Sequence, residues 1–319
     1  MTSSLNLHIF KLMNNSDFIV PADVPNHSHS LFQHHYNQLT HNTGRLMIFA
    51  GDQKVEHLNA DFYGNHIAKD DSNPRHYFNI ASTAKIGGFA TQLGLIARYG
   101  HEYSTVPYVV KLNAHSNLVP TITDDPCSLS WYSIEQVMEF KKNSNLNILG
   151  IGYTIYLGSQ YEFKMLKEAA QLIYQAHAHG LVTIIWAYPK GKSVIKPKDP
   201  HLIAGAAGVV ATLGADFVKV NYPEVGNESQ AVALKEAVAA AGNTKLICAG
   251  GPSTDPKHFY QDLYDQIHVS GAYGNATGRN IHQKPLDEAV RFCNGISAIT
   301  LENKSVDEAM AIYLNKILN

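Results

Sequence analysis

The amino-acid sequence predicts an α/β fold, a closed (β/α)8 or TIM barrel with an N-terminal extension and one extra C-terminal helix. Three observations lead there. From residue 45 onward, short β-branched runs alternate with amphipathic stretches, the pattern of parallel βαβ units. Such runs and stretches recur eight times over about 250 residues, the usual length of a (β/α)8 barrel. No glycine-rich nucleotide turn follows the first run, which disfavours a doubly wound open sheet, the structural rival.

Strands are predicted at 45–51, 86–90, 107–112, 147–152, 181–186, 215–220, 245–249 and 267–271. Helices fit at 75–84, 91–99, 133–141, 162–179, 200–213, 228–241, 255–265 and 286–294, with an addition at 306–317. In the stretch 162–179, Phe163, Leu166, Ala169, Ala170, Ile173 and Ala176 recur at three- and four-residue steps and so share one face. Gly180 follows in the position where a left-handed residue ends a helix. Asp199-Pro200 and Asp255-Pro256 each place a capping acid before a proline suited to the first helical turn. Residues 1–44 form an N-terminal arm ahead of a single catalytic domain at 45–319. That arm is polar and histidine-rich (HSHSLFQHHYNQLTHN) without helical or strand period, and reads as a surface arm or oligomer contact rather than a metal site.

Composition narrows the function. The chain has 319 residues, with 25 Lys+Arg against 27 Asp+Glu, 45% hydrophobic and only 16% charged residues. Ample apolar content at low charge is incompatible with disorder. A near-neutral balance offers no basic excess for nucleic acid. No apolar run approaches the ~18 residues that span a bilayer. Cys127, Cys248 and Cys293 lie far apart, which argues against a disulfide framework or a zinc site. The opening MTSSLNLHIFKLMNNSD lacks the basic and apolar regions of a signal peptide, so a cytoplasmic setting is expected.

Functional side chains of a barrel come from the carboxyl ends of its strands. Lys219, flanked by Val218 and Val220, is directed by side-chain alternation into the barrel. A buried ammonium loses its proton more readily, and the free amine can attack a carbonyl to form a Schiff base. Lys111 is a second inward lysine that the sequence alone leaves as a rival amine. Tyr188 ends the strand before Lys219 and can shuttle a proton; Asp52 ends the first strand and is a candidate acid–base partner. Glu56-His57 reads as support for the mouth, and His177 and His179 as solvated helix-end residues. Gly250-Gly251 and the stretch Gly274 to Gly278 before Arg279 occupy the loops after strands seven and eight, where barrels often hold phosphate.

The segments GDQKVEHLN, YTIYLGSQYE, WAYPKG, ADFVKVNYP, CAGGPS and GRNIHQ occur in an order that resembles the archaeal-type class I fructose-1,6-bisphosphate aldolases. The resemblance covers about residues 45 to 295. It implies a metal-free Schiff-base mechanism with no cofactor beyond the lysine, and a phosphorylated sugar as partner. It implies Lys219 as the Schiff-base lysine, Tyr188 as proton donor, Asp52 as the strand-one aspartate and Trp186 in the pocket lining. Phosphate contacts are implied at Gly250, Gly251, Gly278 and Arg279, and homo-oligomeric assembly is implied as well. Two departures stand out: Asp52-Gln53-Lys54 replaces the family's Asp-His-Gly, and Lys190 replaces the arginine of its YPRG segment. Lysine offers a phosphate a point charge where arginine offers a fork. The expected reaction is reversible cleavage of fructose 1,6-bisphosphate into dihydroxyacetone phosphate and glyceraldehyde 3-phosphate. The rivals are a related Schiff-base lyase or acyltransferase on another phosphorylated sugar or ketone, and a barrel that binds a sugar phosphate without turnover.

Overall fold

Eight parallel strands hydrogen-bond in chain order, and the eighth closes back on the first. The computed structural model describes residues 19–116, 125–226 and 228–316. The opening segment read for a signal peptide lies outside these residues, as does the last residue of the predicted 306–317 helix. The strands are β1 (Leu46–Ala50), β2 (Gly88–Gln92), β3 (Tyr108–Lys111), β4 (Ile148–Leu157), β5 (Val182–Pro189), β6 (Phe217–Val220), β7 (Lys245–Ala249) and β8 (Gly274–Thr277). The helices are α1 (His29–Thr40), α2 (Gln53–Glu56), α3 (Arg75–Thr83), α4 (Leu93–Tyr99), α5 (Ile134–Ser144) and α6 (Glu162–Ala178). They continue as α7 (Pro200–Leu213), α8 (Gln230–Ala241), α9 (Pro256–His268), α10 (Arg279–His282), α11 (Leu286–Glu302) and α12 (Val306–Tyr313).

Seven of the eight strands fall where the sequence predicts them. The eighth does not. Residues 267–271 are the end of α9 and the turn after it, with Gly271 at φ +82°, and the true β8 is Gly-Asn-Ala-Thr. Its ladder to Leu46–Phe49 and the space available decide the matter, not β-propensity: a Cβ on Gly274 would lie 1.9 Å from the Leu46 carbonyl oxygen. Strands β4 and β5 also run well past their predicted ends, and those extra residues carry two tyrosines of the mouth.

Helix caps follow the sequence signals. Asp199 accepts from the backbone N–H groups of His201 and Leu202, and Asp255 from those of Lys257 and His258, each ahead of a proline. Helix α6 ends before Gly180 at φ +67°. Its buried face is rotated from the expected one: Met165, Ala169, Leu172, Ile173, Ala176 and His177 face the barrel, while Phe163 and Ala170 are exposed. Both sets satisfy helical spacing, so packing alone selects between them.

The arm also departs from its sequence reading. Residues 29–40 form α1, and Phe32, Tyr36 and Leu39 are buried against Leu46, Val182 and Phe217 of the barrel interior. The helix plugs the amino-terminal end of the barrel. Burying each of these side chains contributes roughly 1.5–3 kcal/mol. Hydrogen bonds pin the plug, from Ser28 Oγ to the Ala178 carbonyl and between His35 Nδ1 and the Gly180 carbonyl.

His177 is likewise buried rather than solvated. Its Nε2 lies 3.1 Å from Asp216 and its Nδ1 lies 2.8 Å from Asp23. Burial opposes the charge, but the two carboxylates outweigh it and raise the pKa to about 9. A cationic imidazole thus ties the chain before α1 to the barrel floor.

Candidate active site

Alternation along the strands sorts the side chains into two layers. Val218 and Val220 join the shell between barrel and helices, whereas Phe217, Trp186 and Ile247 fill the interior. Lys219 therefore points inward, as the sequence predicts. Register then sets its neighbours: Lys219 pairs with Trp186, Trp186 with Thr154, and Tyr188 with Tyr156.

The two interior lysines differ sharply in environment. Lys111 is fully buried, and its Nζ lies 2.7 Å from Thr154 Oγ1, 3.0 Å from the Asn113 carbonyl, 3.5 Å from Glu56 and 3.6 Å from Asp52. Two acceptors and two carboxylates hold a charged ammonium in place. Lys219 is 5% exposed and makes no hydrogen bond among the described residues. Burial pulls its pKa below that of an ordinary lysine; Asp52 and Glu56 oppose this, while Lys111 and Arg279 reinforce it. The geometry thus sets the two lysines in different surroundings. Lys111 is a fixed cation and Lys219 is the unengaged amine.

Both nitrogens approach the same indole, 5.1 Å from its centre for Lys111 and 5.3 Å for Lys219. The ring fits there because Gly152 has no side chain: a Cβ would lie 2.5 Å from Trp186 Cζ3 and 3.2 Å from Lys111 Cδ. Trp186 Nε1 and Asp52 Oδ2 are buried without a hydrogen-bond partner among the described residues. Orphaned polar atoms of this kind mark a place prepared for another group.

Tyr188 is half-buried at the mouth. Burial pushes its phenol well above the usual range, and Glu56 and Asp52 push further, so it remains protonated. Burial also raises Glu56, an effect that Lys111 opposes and Asp52 adds to. Lys190 sits exposed at the rim, with Nζ 5.4 Å from the centre of the Tyr156 ring.

The glycine loops carry different duties. Gly250 donates its N–H to the Ala276 carbonyl, so that amide is not left for a ligand. Its need for glycine is spatial, because a Cβ would lie 2.8 Å from Thr277. Gly251, at φ +67°, makes no backbone hydrogen bond among the described residues. The pair borders a cavity of ≈ 240 Å³ that also touches Asn221, Tyr222 and Gln266 but neither Lys219 nor Tyr188. Strand ends, not that cavity, define the reactive mouth. Arg279 is half-buried 3.6 Å from Asp61, and its Nε has no hydrogen-bond partner among the described residues. Thr154, Tyr156 and Asn113 were missed by sequence reasoning. The signal for the first two was present, since Gly152, Thr154 and Tyr156 share the inward parity of one strand.

A buried amine whose pKa is lowered, a paired carboxylate and a protonated phenol at one end of a (β/α)8 barrel make up an enzyme for carbonyl substrates. The chain belongs to the DeoC/LacD family of aldolases, whose sequence pattern matches residues 46–284, and is thus a lyase. It is 56% identical over 309 residues to a Methanocaldococcus jannaschii protein named fructose-bisphosphate aldolase/6-deoxy-5-ketofructose 1-phosphate synthase, covering 97% of this chain and 98% of that one. The fructose-bisphosphate aldolase structure from Slackia heliotrinireducens superposes with a TM-score of 0.93 at 50% identity, covering 97% and 98% of the two chains. An archaeal fructose-1,6-bisphosphate aldolase, solved with its catalytic lysine covalently bound to the carbinolamine intermediate, superposes with a TM-score of 0.71 at 27% identity, covering 85% and 99%.

Proposed function

We propose that the protein is a class I fructose-bisphosphate aldolase that cleaves fructose 1,6-bisphosphate reversibly through a Schiff base on Lys219. The observation that carries the reading is the contrast between an unengaged Lys219 and a fully partnered Lys111. Lys219 Nζ attacks the C2 carbonyl, and loss of water leaves an iminium. The electron pair of the C3–C4 bond flows into that iminium as the C4 hydroxyl loses its proton. A protonated phenol cannot take this proton, so the reading assigns it to Asp52. Glyceraldehyde 3-phosphate departs, Tyr188 protonates the enamine at C3, and water releases dihydroxyacetone phosphate. The iminium is the electron sink, the role a Lewis acid plays in metal-dependent aldol cleavage. Gly251, Gly278 and Arg279 are assigned to the phosphate nearer the lysine, Gly250 to letting the chain pass close, and Lys190 to the far phosphate. Borohydride reduction with dihydroxyacetone phosphate and peptide mapping tests this. An adduct at Lys219 is expected; an adduct at Lys111, or none, overturns it.

The name of the Methanocaldococcus relative favours a second reaction at the same site. Breaking 6-deoxy-5-ketofructose 1-phosphate at C3–C4 yields dihydroxyacetone phosphate and methylglyoxal, so its synthesis is the same aldol step with a different aldehyde. Appearance of that product on incubation with dihydroxyacetone phosphate and methylglyoxal tests it. The reading also carries a cytoplasmic setting and a place in glycolysis and gluconeogenesis. It carries homo-oligomeric assembly too, supported by the exposed Leu202 and Val232 on α7 and α8.

A further inference from the structure

We propose that Glu56 is a catalytic acid of Schiff-base formation, which gives its proton to the oxygen leaving C2 and regains one from water when the product is released. The proposal rests on the reading of Lys219 as the attacking amine. Lys219, Asp52 and Tyr188 leave one proton unassigned: the departing oxygen needs one, while Asp52 serves C4 and Tyr188 serves C3.

Glu56 closes the single turn of α2 four residues after Asp52, so the two carboxyls share one side of that turn. The sequence reads Glu56 and His57 together as support for the mouth, and the structure parts them. His57 turns to Asp61, with Nδ1 2.5 Å from Oδ2, whereas Glu56 Oε1 lies 3.5 Å from Lys111 Nζ. Asp52 Oδ2 stands 3.6 Å from the same nitrogen. Of these three groups Lys111 is 0% and Asp52 2% exposed, and Glu56, at 17%, is the one that small molecules can reach. Burial is the main influence on Lys219, Tyr188 and Tyr156, and the charge of Glu56 is felt at all three.

One ammonium between two such carboxyls balances one negative charge, which favours a proton on the other carboxyl. Burial raises Glu56 above its ordinary value; Lys111 opposes this, Asp52 adds to it and Lys219 opposes it. A neutral carboxyl keeps its contact with Lys111 through the carbonyl oxygen Oε1 and carries the proton on Oε2. Attack by the Lys219 amine, with transfer of an amine proton to the C2 oxygen, gives the carbinolamine. The C2–O bond then breaks as Oε2 hands over its proton, the nitrogen lone pair forms the C=N bond, and the oxygen leaves as water. An iminium and a Glu56 carboxylate remain, and Lys111 is placed to hold the new negative charge. On release, that carboxylate takes a proton from the water that attacks the iminium.

The test mixes enzyme rapidly with saturating dihydroxyacetone phosphate and quenches with borohydride at set times. It reads how fast the trapped adduct appears in wild type, Glu56→Gln, Glu56→Asp and Tyr188→Phe. Glu56→Gln is expected to slow its appearance about 10²-fold, the loss of a general acid, with half-saturation at long times unchanged. Glu56→Asp, an acid one methylene shorter, is expected to regain about tenfold of that loss. Tyr188→Phe should form the adduct at the wild-type rate. A purely electrostatic role carries the opposite sign: Glu56 resists the burial-driven fall of the Lys219 pKa, so an amide there would leave more free amine and speed formation. An unchanged or faster rate in Glu56→Gln overturns the proposal, and so does a slowdown that raised ketone concentration abolishes, which would place Glu56 in binding. In either case an adduct still mapped to Lys219 leaves the underlying reading standing; trapping that survives Lys219→Met ends both.

Discussion

Lys111 of β3 and Lys219 of β6 approach one indole with two strands of the barrel wall between them, their nitrogens 5.1 and 5.3 Å from the centre of Trp186. Among the described residues only Lys111 of the two has hydrogen-bond acceptors within 3.0 Å, so the two identical side chains differ through their surroundings.

Their division of labour predicts distinct variant behaviour. Lys219→Met removes the nucleophile and is expected to lower kcat/KM by at least about 10³-fold. Lys111→Met leaves Lys219 but removes a cation that depresses its pKa, so Asp52 and Glu56 then act unopposed by that neighbour. The acidic limb of kcat/KM should move to higher pH. An unmoved pH profile in Lys111→Met would show that the two groups do not communicate.

Tyr188→Phe is expected to slow exchange of the C3 proton of dihydroxyacetone phosphate with solvent by about 10²- to 10⁴-fold. Borohydride trapping of the iminium precedes that step and should persist. Loss of trapping alongside exchange would place Tyr188 in binding instead.

Gly152→Ala addresses the seat of the indole. The added methyl would lie 2.5 Å from Trp186 Cζ3 in a wall of parallel strands, so the ring must move. Overpacking of this order destabilises by about 1–3 kcal/mol, and activity should fall out of proportion to that loss. Circular dichroism melting beside steady-state kinetics checks the pair; wild-type turnover in a folded Gly152→Ala protein would refute the seating role.

The barrel floor predicts a pH-dependent stability. His177 has a folded pKa of about 9 against an unfolded value near 6.5. The folded state therefore binds a proton more tightly. Its contribution, about 3 kcal/mol from 1.36 kcal/mol per unit, is complete below pH 6.5 and lost as pH rises through about 9. Urea melts at pH 6 and pH 10 should show a larger drop for wild type than for His177→Asn.

Helix α1 predicts a mutational cost at the same end. Phe32→Ala should destabilise by about 3–5 kcal/mol, the range for a buried aromatic. Urea denaturation checks it, and a change under 1 kcal/mol would mean that the helix does not plug the barrel in solution.

The sequence by itself determined the barrel, its strand order and the inward aim of Lys219, because alternation along a strand is a local rule that needs no partner. It likewise determined the Asp-Pro helix starts at 199 and 255, whose caps are satisfied within one turn. Tertiary structure decided the rest. Strand β8 forms from Gly-Asn-Ala-Thr because β1 and β7 supply its hydrogen bonds, which no local propensity reports. The α1 plug and the buried His177 depend on residues about 150 positions apart in sequence. The difference in environment between Lys111 and Lys219 depends on Thr154, Asp52 and Glu56, which meet only when the barrel closes. A lysine's pKa is a property of what surrounds it, and that is fixed by packing rather than by its neighbours in the chain.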